Sequence, residues 1–167
     1  MSDWFFMLGE SLNGSERRQA ADYLHGLGID DEIPVVSVTD WDQARRAISH
    51  PQWDRRWWDA EQAEKRRLYE KAKVRLPDAE LLTALSRAVT SVTETVHGAA
   101  AVEAARRGCA DAGLIRAAAG AAAEALYLAE LARLAGENER HPFALKQALF
   151  AGGHWPLGIV NGRYHVF

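Results

Sequence analysis

One stretch constrains this chain more than any other: residues 111 to 136, DAGLIRAAAGAAAEALYLAELARLAG. Asp111 is placed to cap a helix that runs to Ala135, and Gly136 to stop it. The helix is apolar nearly all round, except for a narrow line through Arg116, Glu124 and Tyr127. A helix of that kind belongs in the middle of a bundle, where alanines let neighbouring backbones approach closely. It is poorly suited to lipid. Its apolar residues are mainly alanines, and Arg116, Glu124, Glu130 and Arg133 interrupt them.

The segments before it supply partners. Trp57 to about Leu76 reads as a charged helix, with Glu61 and Lys65 at i,i+4 and with Glu64–Arg67 and Glu70–Lys73 at i,i+3. Pro77-Asp78 breaks it and starts another. There Leu82, Leu85, Val89, Val92, Val96 and Ala99 form one stripe at helical spacing, up to Gly108. After the alanine-rich segment, His141-Pro142 begins a short helix that ends at Gly152-Gly153.

The two chain ends read differently. Trp4 to Leu8 is a short apolar run closed by Gly9, which predicts a buried strand. Ser15 is placed to cap a helix through about Leu24. Ile33 to Val38 is β-branched with a proline near its entry, a second strand. Asp40 and Gln43 are spaced as a capping box for a short helix to about Ser49. At the far end, Leu157–Val160 and Arg163–Phe167 flank Asn161-Gly162, the pair that supplies both positive-φ positions of a type I′ hairpin turn.

A lone hairpin is marginal in water, so it is expected to join the N-terminal strands. The predicted fold is therefore α+β and mostly helical. Three to four main helices surround the alanine-rich one, and a small sheet combines the N-terminal strands with the C-terminal hairpin. Residues 1–167 read as a single domain: a β-α-β-α part over 1–50, a helical body over 51–152 and the hairpin over 153–167.

Charge excludes some functions. The net charge is −3, so no global basic field argues for nucleic acid. Residues 1–54 carry 10 acids against 4 bases, and residues 55–76 carry 8 bases against 4 acids. A basic helix beside an acidic N-terminal third either meets it inside the molecule or presents a second face to partners. The single cysteine, Cys109, forms no internal disulfide and no multi-thiolate zinc site. With no signal-peptide pattern at the start, the chain reads as a cytoplasmic protein that does not enter a membrane.

Motifs with catalytic meaning are few. Gly9 to Ser15 resembles a phosphate-binding loop in spacing, yet it lacks the lysine and places Glu10 where a nucleotide brings its own charge. It reads as a strand-to-helix connection. Glu94-Thr-Val-His97 has the spacing of a carboxylate and imidazole pair on one helix face, as in di-iron bundles, but a second such pair is absent. Glu94 and His97 are thus weak metal candidates on an outward flank, and no cofactor is expected. No Gly-x-Ser-x-Gly elbow accompanies the six scattered histidines.

Two constellations remain. Glu124 is a carboxylate among alanines, which must reach water or find a partner. In a bundle pocket it would serve as an acid or base, with Tyr127 one turn on as its nearest helper. Trp53, Arg55, Arg56, Trp57 and Trp58 mix residue types that dominate protein interfaces. They read either as a partner surface or as an anchor for the basic helix, with Trp57 and Trp58 packed inward. The sequence-level expectation is a non-catalytic interaction or regulatory protein that binds another protein or itself. The alternative is a small enzyme or ligand-binding protein with a pocket around Glu124, assisted by a metal at Glu94 and His97.

Overall fold

A computed structural model of the chain describes residues 3–29 and 32–167. The elements run α1 (Gly14–Gly26), β1 (Val35–Ser37), α2 (Trp41–Ile48), α3 (Arg55–Arg75), α4 (Asp78–Thr90), α5 (Thr93–Arg106), α6 (Ala112–Leu134), α7 (Pro142–Ala151), β2 (Pro156–Val160) and β3 (Arg163–Val166). The fold is α+β and mostly helical, as expected.

Helix α6 is the hub. It packs against α3, α4, α5 and α7. Asp111 caps it by accepting a hydrogen bond from Leu114 N at 3.0 Å. Its buried row is Leu114, Ala118, Ala122, Ala125, Leu128 and Leu131, with Ala119 and Ala132 alongside. The helix is not enclosed all round, however: Gly113, Arg116, Ala117 and Gly120 face solvent in its first half. Among the described residues it is the one helix long and apolar enough to cross a membrane. The row that makes it apolar meets other helices of the same chain.

Two packing layers flank it. Leu68 and Ala72 of α3, Leu81 and Leu85 of α4, Leu128 and Leu131 of α6 and Phe143 of α7 form one core cluster. Each fully buried leucine there contributes about 1.5–3 kcal/mol through removal from water. Val96 and Ala100 of α5 join the first half of α6 in a second cluster with Trp41, Phe150, Trp155 and Phe167.

The continuous stripe expected from Leu82 to Ala99 is broken. Helices α4 and α5 part at Ser91 and Val92, where Ser91 Oγ and Thr93 Oγ1 donate back to the carbonyls of Ala88 and Val89. Such bonds compete with the helical ladder, and β-branched Val89, Thr90 and Val92 weaken it further. Leu81 takes the inward place, leaving Leu82 54% exposed.

The sheet has order β1-β3-β2. The hairpin pairs Ile159 with Tyr164 and Val160 with Arg163, and Asn161 and Gly162 take φ of 50° and 69°. Strand β1 lies parallel to β3, with Val36 opposite His165. The first N-terminal strand, expected over Trp4–Leu8, is instead a run of turns. Phe6 N, Leu8 N and Glu10 N donate to carbonyls three residues back, and Phe5 sits at φ 60°. The segment buries Phe5 and Leu8 while Phe6 is 56% exposed, a spacing no strand satisfies. Met7 N bonds Gly153 O, tying this turn to the end of α7. Helix α1 also starts otherwise than expected: Asn13, not Ser15, is its cap, in a reciprocal box with Glu16.

Candidate functional site

The most concentrated chemistry lies where α1, α3, α7 and the sheet converge. Glu61 of α3 and Lys146 of α7 are 4% and 6% exposed. Lys146 Nζ donates to Glu61 Oε1 at 2.6 Å, and the Tyr23 hydroxyl donates to the same oxygen. Trp57 Nε1 donates to the Tyr23 oxygen at 2.6 Å. The ammonium lies 5.1 Å from the Trp57 ring centre and 6.0 Å from that of Tyr23. Tyr164 completes the cage, its ring 5.9 Å from Tyr23, but its buried hydroxyl has no hydrogen-bond partner among the described residues. Burial, reinforced by the Glu61 charge, holds both phenols well above the usual tyrosine range.

The sequence carries a signal for this cluster that motif spacing does not reveal. Glu61 stands on the same helical row as Trp57, Leu68 and Ala72, and Lys146 stands between Phe143 and Leu149 on the buried side of α7. Opposite charges, one on each of two apolar rows, are the mark of a buried pair. The predicted Glu61–Lys65 contact is not made. Lys65 instead reaches Glu124 at 2.9 Å, while Glu64–Arg67 at 2.6 Å and Glu70–Lys73 at 3.8 Å are formed.

Glu124 is therefore not stranded. Its side chain is 44% exposed and ion-paired. The Lys65 ammonium also lies 4.9 Å from the Tyr127 ring centre, and burial raises the Tyr127 phenol above its usual range. An open groove of about 400 Å³ beside them is lined by Gln62, Lys65, Arg66, Tyr69, Glu70 and Tyr127.

The tryptophan and arginine segment divides. Trp57 is buried, and half-buried Trp53 stands edge-on to it at 5.4 Å. Both lie against the backbone of Gly158. Trp58 does not pack inward with Trp57. It is 41% exposed, because adjacent helical residues point about 100° apart. The Arg55 guanidinium lies 5.3 Å from the Trp58 ring centre, and Arg56 is held by Asp54 at 2.9 Å.

The basic helix meets the N-terminal third at Tyr23, but Lys65, Arg67 and Lys71 pair with carboxylates elsewhere. Besides Lys65–Glu124, Arg67 and Lys71 both reach Glu137 beyond the end of α6.

Glu94 and His97 are exposed on α5 and line a groove of about 540 Å³ with Arg116 of α6. Among the described residues no three metal-ligating side chains come together. Gly98, Ala119, Gly120 and Ala123 line the same groove. A Cβ built on Gly98 or Gly120 would touch nothing within 4 Å. Neither glycine has a positive φ. Val102, one turn beyond Gly98, is 59% exposed.

Comparison of the chain with known protein families, with curated proteins and with solved structures finds no match.

Proposed function

We propose that this chain is a non-catalytic cytoplasmic interaction protein, an adaptor, regulator or immunity-type binder, and that the α5–α6 hairpin is its contact face. The observation that supports this is the pair Gly98 and Gly120. A glycine inside a helix costs about 1 kcal/mol relative to alanine. Within this chain neither glycine relieves a clash or a backbone strain. Both line one groove, beside exposed Val102. Close approach of another backbone accounts for them, as it does wherever small residues line a helix crossing. The occupant is a helix of another protein or of a second copy, with Glu94 and Arg116 on the groove walls selecting for opposite charges. Trp58, with Arg55 over its ring, supports a second contact.

The test uses two effects of opposite sign. Gly98→Ala with Gly120→Ala raises thermal stability, whereas Gly98→Leu with Gly120→Leu abolishes association. Sedimentation equilibrium reads self-association, and a photocrosslinker at position 102 reads contact with a partner in the native extract. A wild-type protein that stays monomeric and crosslinks to nothing beyond what the leucine variant captures overturns the reading.

A second reading, a ligand-binding or catalytic site at Glu124, is supported by the groove beside Lys65 and Tyr127. It requires Glu124→Ala to abolish an activity while leaving stability within about 1 kcal/mol, the usual worth of a half-exposed ion pair.

A further inference from the structure

A second cleft, between α2 and the sheet and apart from the α5–α6 face, carries chemistry of its own. It has a volume of about 330 Å³, with Val36, Val38 and Ala47 among its apolar lining and Arg46, His50 and His165 among its polar lining. Among the described residues no carboxylate lines it. Its neighbours on α2 make the contrast plain. Asp42 is held by Arg45, and Asp40 accepts the Gln43 backbone and side-chain N–H groups. Arg45 has two carboxylate partners, Asp42 and Asp111. Arg46, the next residue, has no ion-pair or hydrogen-bond partner among the described residues.

The histidines are set as donors or proton acceptors. His50 Nδ1 accepts the backbone N–H of Gln52 at 3.0 Å. The neutral ring therefore carries its proton on Nε2, free to donate. His165 is half-buried on β3 and lines the cleft opposite Arg46. Its imidazole offers ring nitrogens to a ligand in the cleft. Burial, helped by the nearby positive charge of Arg163 and by His50, holds His165 below the usual imidazole range. A bound anion would offset that effect and supply the charge the cleft lacks.

We propose that the cleft formed by Arg46, His50 and His165 between α2 and the sheet binds a small molecule through an oxyanion, a phosphate or carboxylate group. Arg46 supplies a permanent charge and a forked set of donors. His50 Nε2–H supplies a directed neutral donor, and His165 closes the far wall. Val36 and Val38 leave an apolar surface for the rest of the ligand, as small-molecule sites generally do.

Inorganic phosphate and acetate, titrated separately at constant ionic strength, are the probes, and the ring signals of His50 and His165 in NMR spectra are the readout. The expected result is a saturable shift of both rings by at least one probe, with Arg46→Ala weakening that binding about tenfold, the worth of one charge-assisted hydrogen bond. Phosphate binding alone assigns a phosphate-bearing ligand, and acetate binding alone a carboxylate. Arg140→Ala, which removes the same charge from the exposed segment before α7, leaves affinity unchanged. No saturable shift by either probe up to about 50 mM, weaker than any useful site, overturns the proposal. So does equal weakening by Arg140→Ala, which would reduce the effect to general charge.

Discussion

Lys146 Nζ and Glu61 Oε1 meet at 2.6 Å with both side chains less than a tenth exposed. Two charges taken out of water at that depth are tolerated because each meets its opposite. Tyr23 donates to the same carboxylate oxygen, and the faces of Trp57 and Tyr23 receive the ammonium. The pair fixes how α7 sits against α3, and through Tyr23 it ties in α1.

Removing one partner should therefore be worse than removing both. Glu61→Leu or Lys146→Met alone is expected to destabilise by about 3–5 kcal/mol, because an uncompensated charge is left buried. The double variant should lose less than either single one. Urea denaturation of the four proteins checks this, and additive losses would mean the pair is not coupled.

The phenols of Tyr23 and Tyr164 carry an alkaline prediction. Both folded-state values lie above the unfolded one, chiefly through burial. Above about pH 10 the unfolded chain loses these protons and the folded chain keeps them, so stability is intact below that pH and falls as pH rises beyond it. Tyrosinate absorbance should show two of the four tyrosines ionising only with unfolding. Tyr164→Phe should hold or raise stability, since it deletes a buried hydroxyl with no partner among the described residues, whereas Tyr23→Phe should lower it.

His154 sets an acid limit. It is fully buried, and desolvation lowers its proton affinity, only partly opposed by Glu16 at 3.5 Å. Below about pH 6.5 the unfolded chain takes up a proton that the folded chain refuses, so this contribution is present at neutral pH and lost as pH falls. His154→Phe should flatten the stability profile between about pH 6.5 and 5. A wild-type profile already flat there would contradict the assignment.

Gly158 is the residue whose replacement the packing forbids. It has φ 116°, and a Cβ there would lie 2.8 Å from Trp53 Nε1 and 2.9 Å from the Trp57 ring. Gly158→Ala should destabilise by several kcal/mol, about 3 or more, combining backbone strain with overpacking. Tryptophan fluorescence should report the displaced indoles, and an unperturbed spectrum with native stability would refute the contact.

Some local chemistry is legible in the sequence alone. Asp40, Asp111 and His141 cap their helices by bonds spanning two or three residues, and Asn161-Gly162 dictates its turn from within. The α6 hub follows from one composition-rich segment whose buried face needed several neighbours. Trp4–Leu8 misled because a five-residue apolar run has no periodicity of its own, and only its docking on α7 selects turns over a strand.

Side-chain partners were a different matter. Glu61 and Lys65 have the right spacing to pair on an isolated helix, yet each finds its partner on another helix, Lys146 and Glu124. The sequence by itself determined the caps of α2 and α6, the stop after α3 and the hairpin turn, because those depend on bonds within a few residues. Only the tertiary structure decided which charges meet and which glycines stay open, because those depend on distances between segments far apart in the chain.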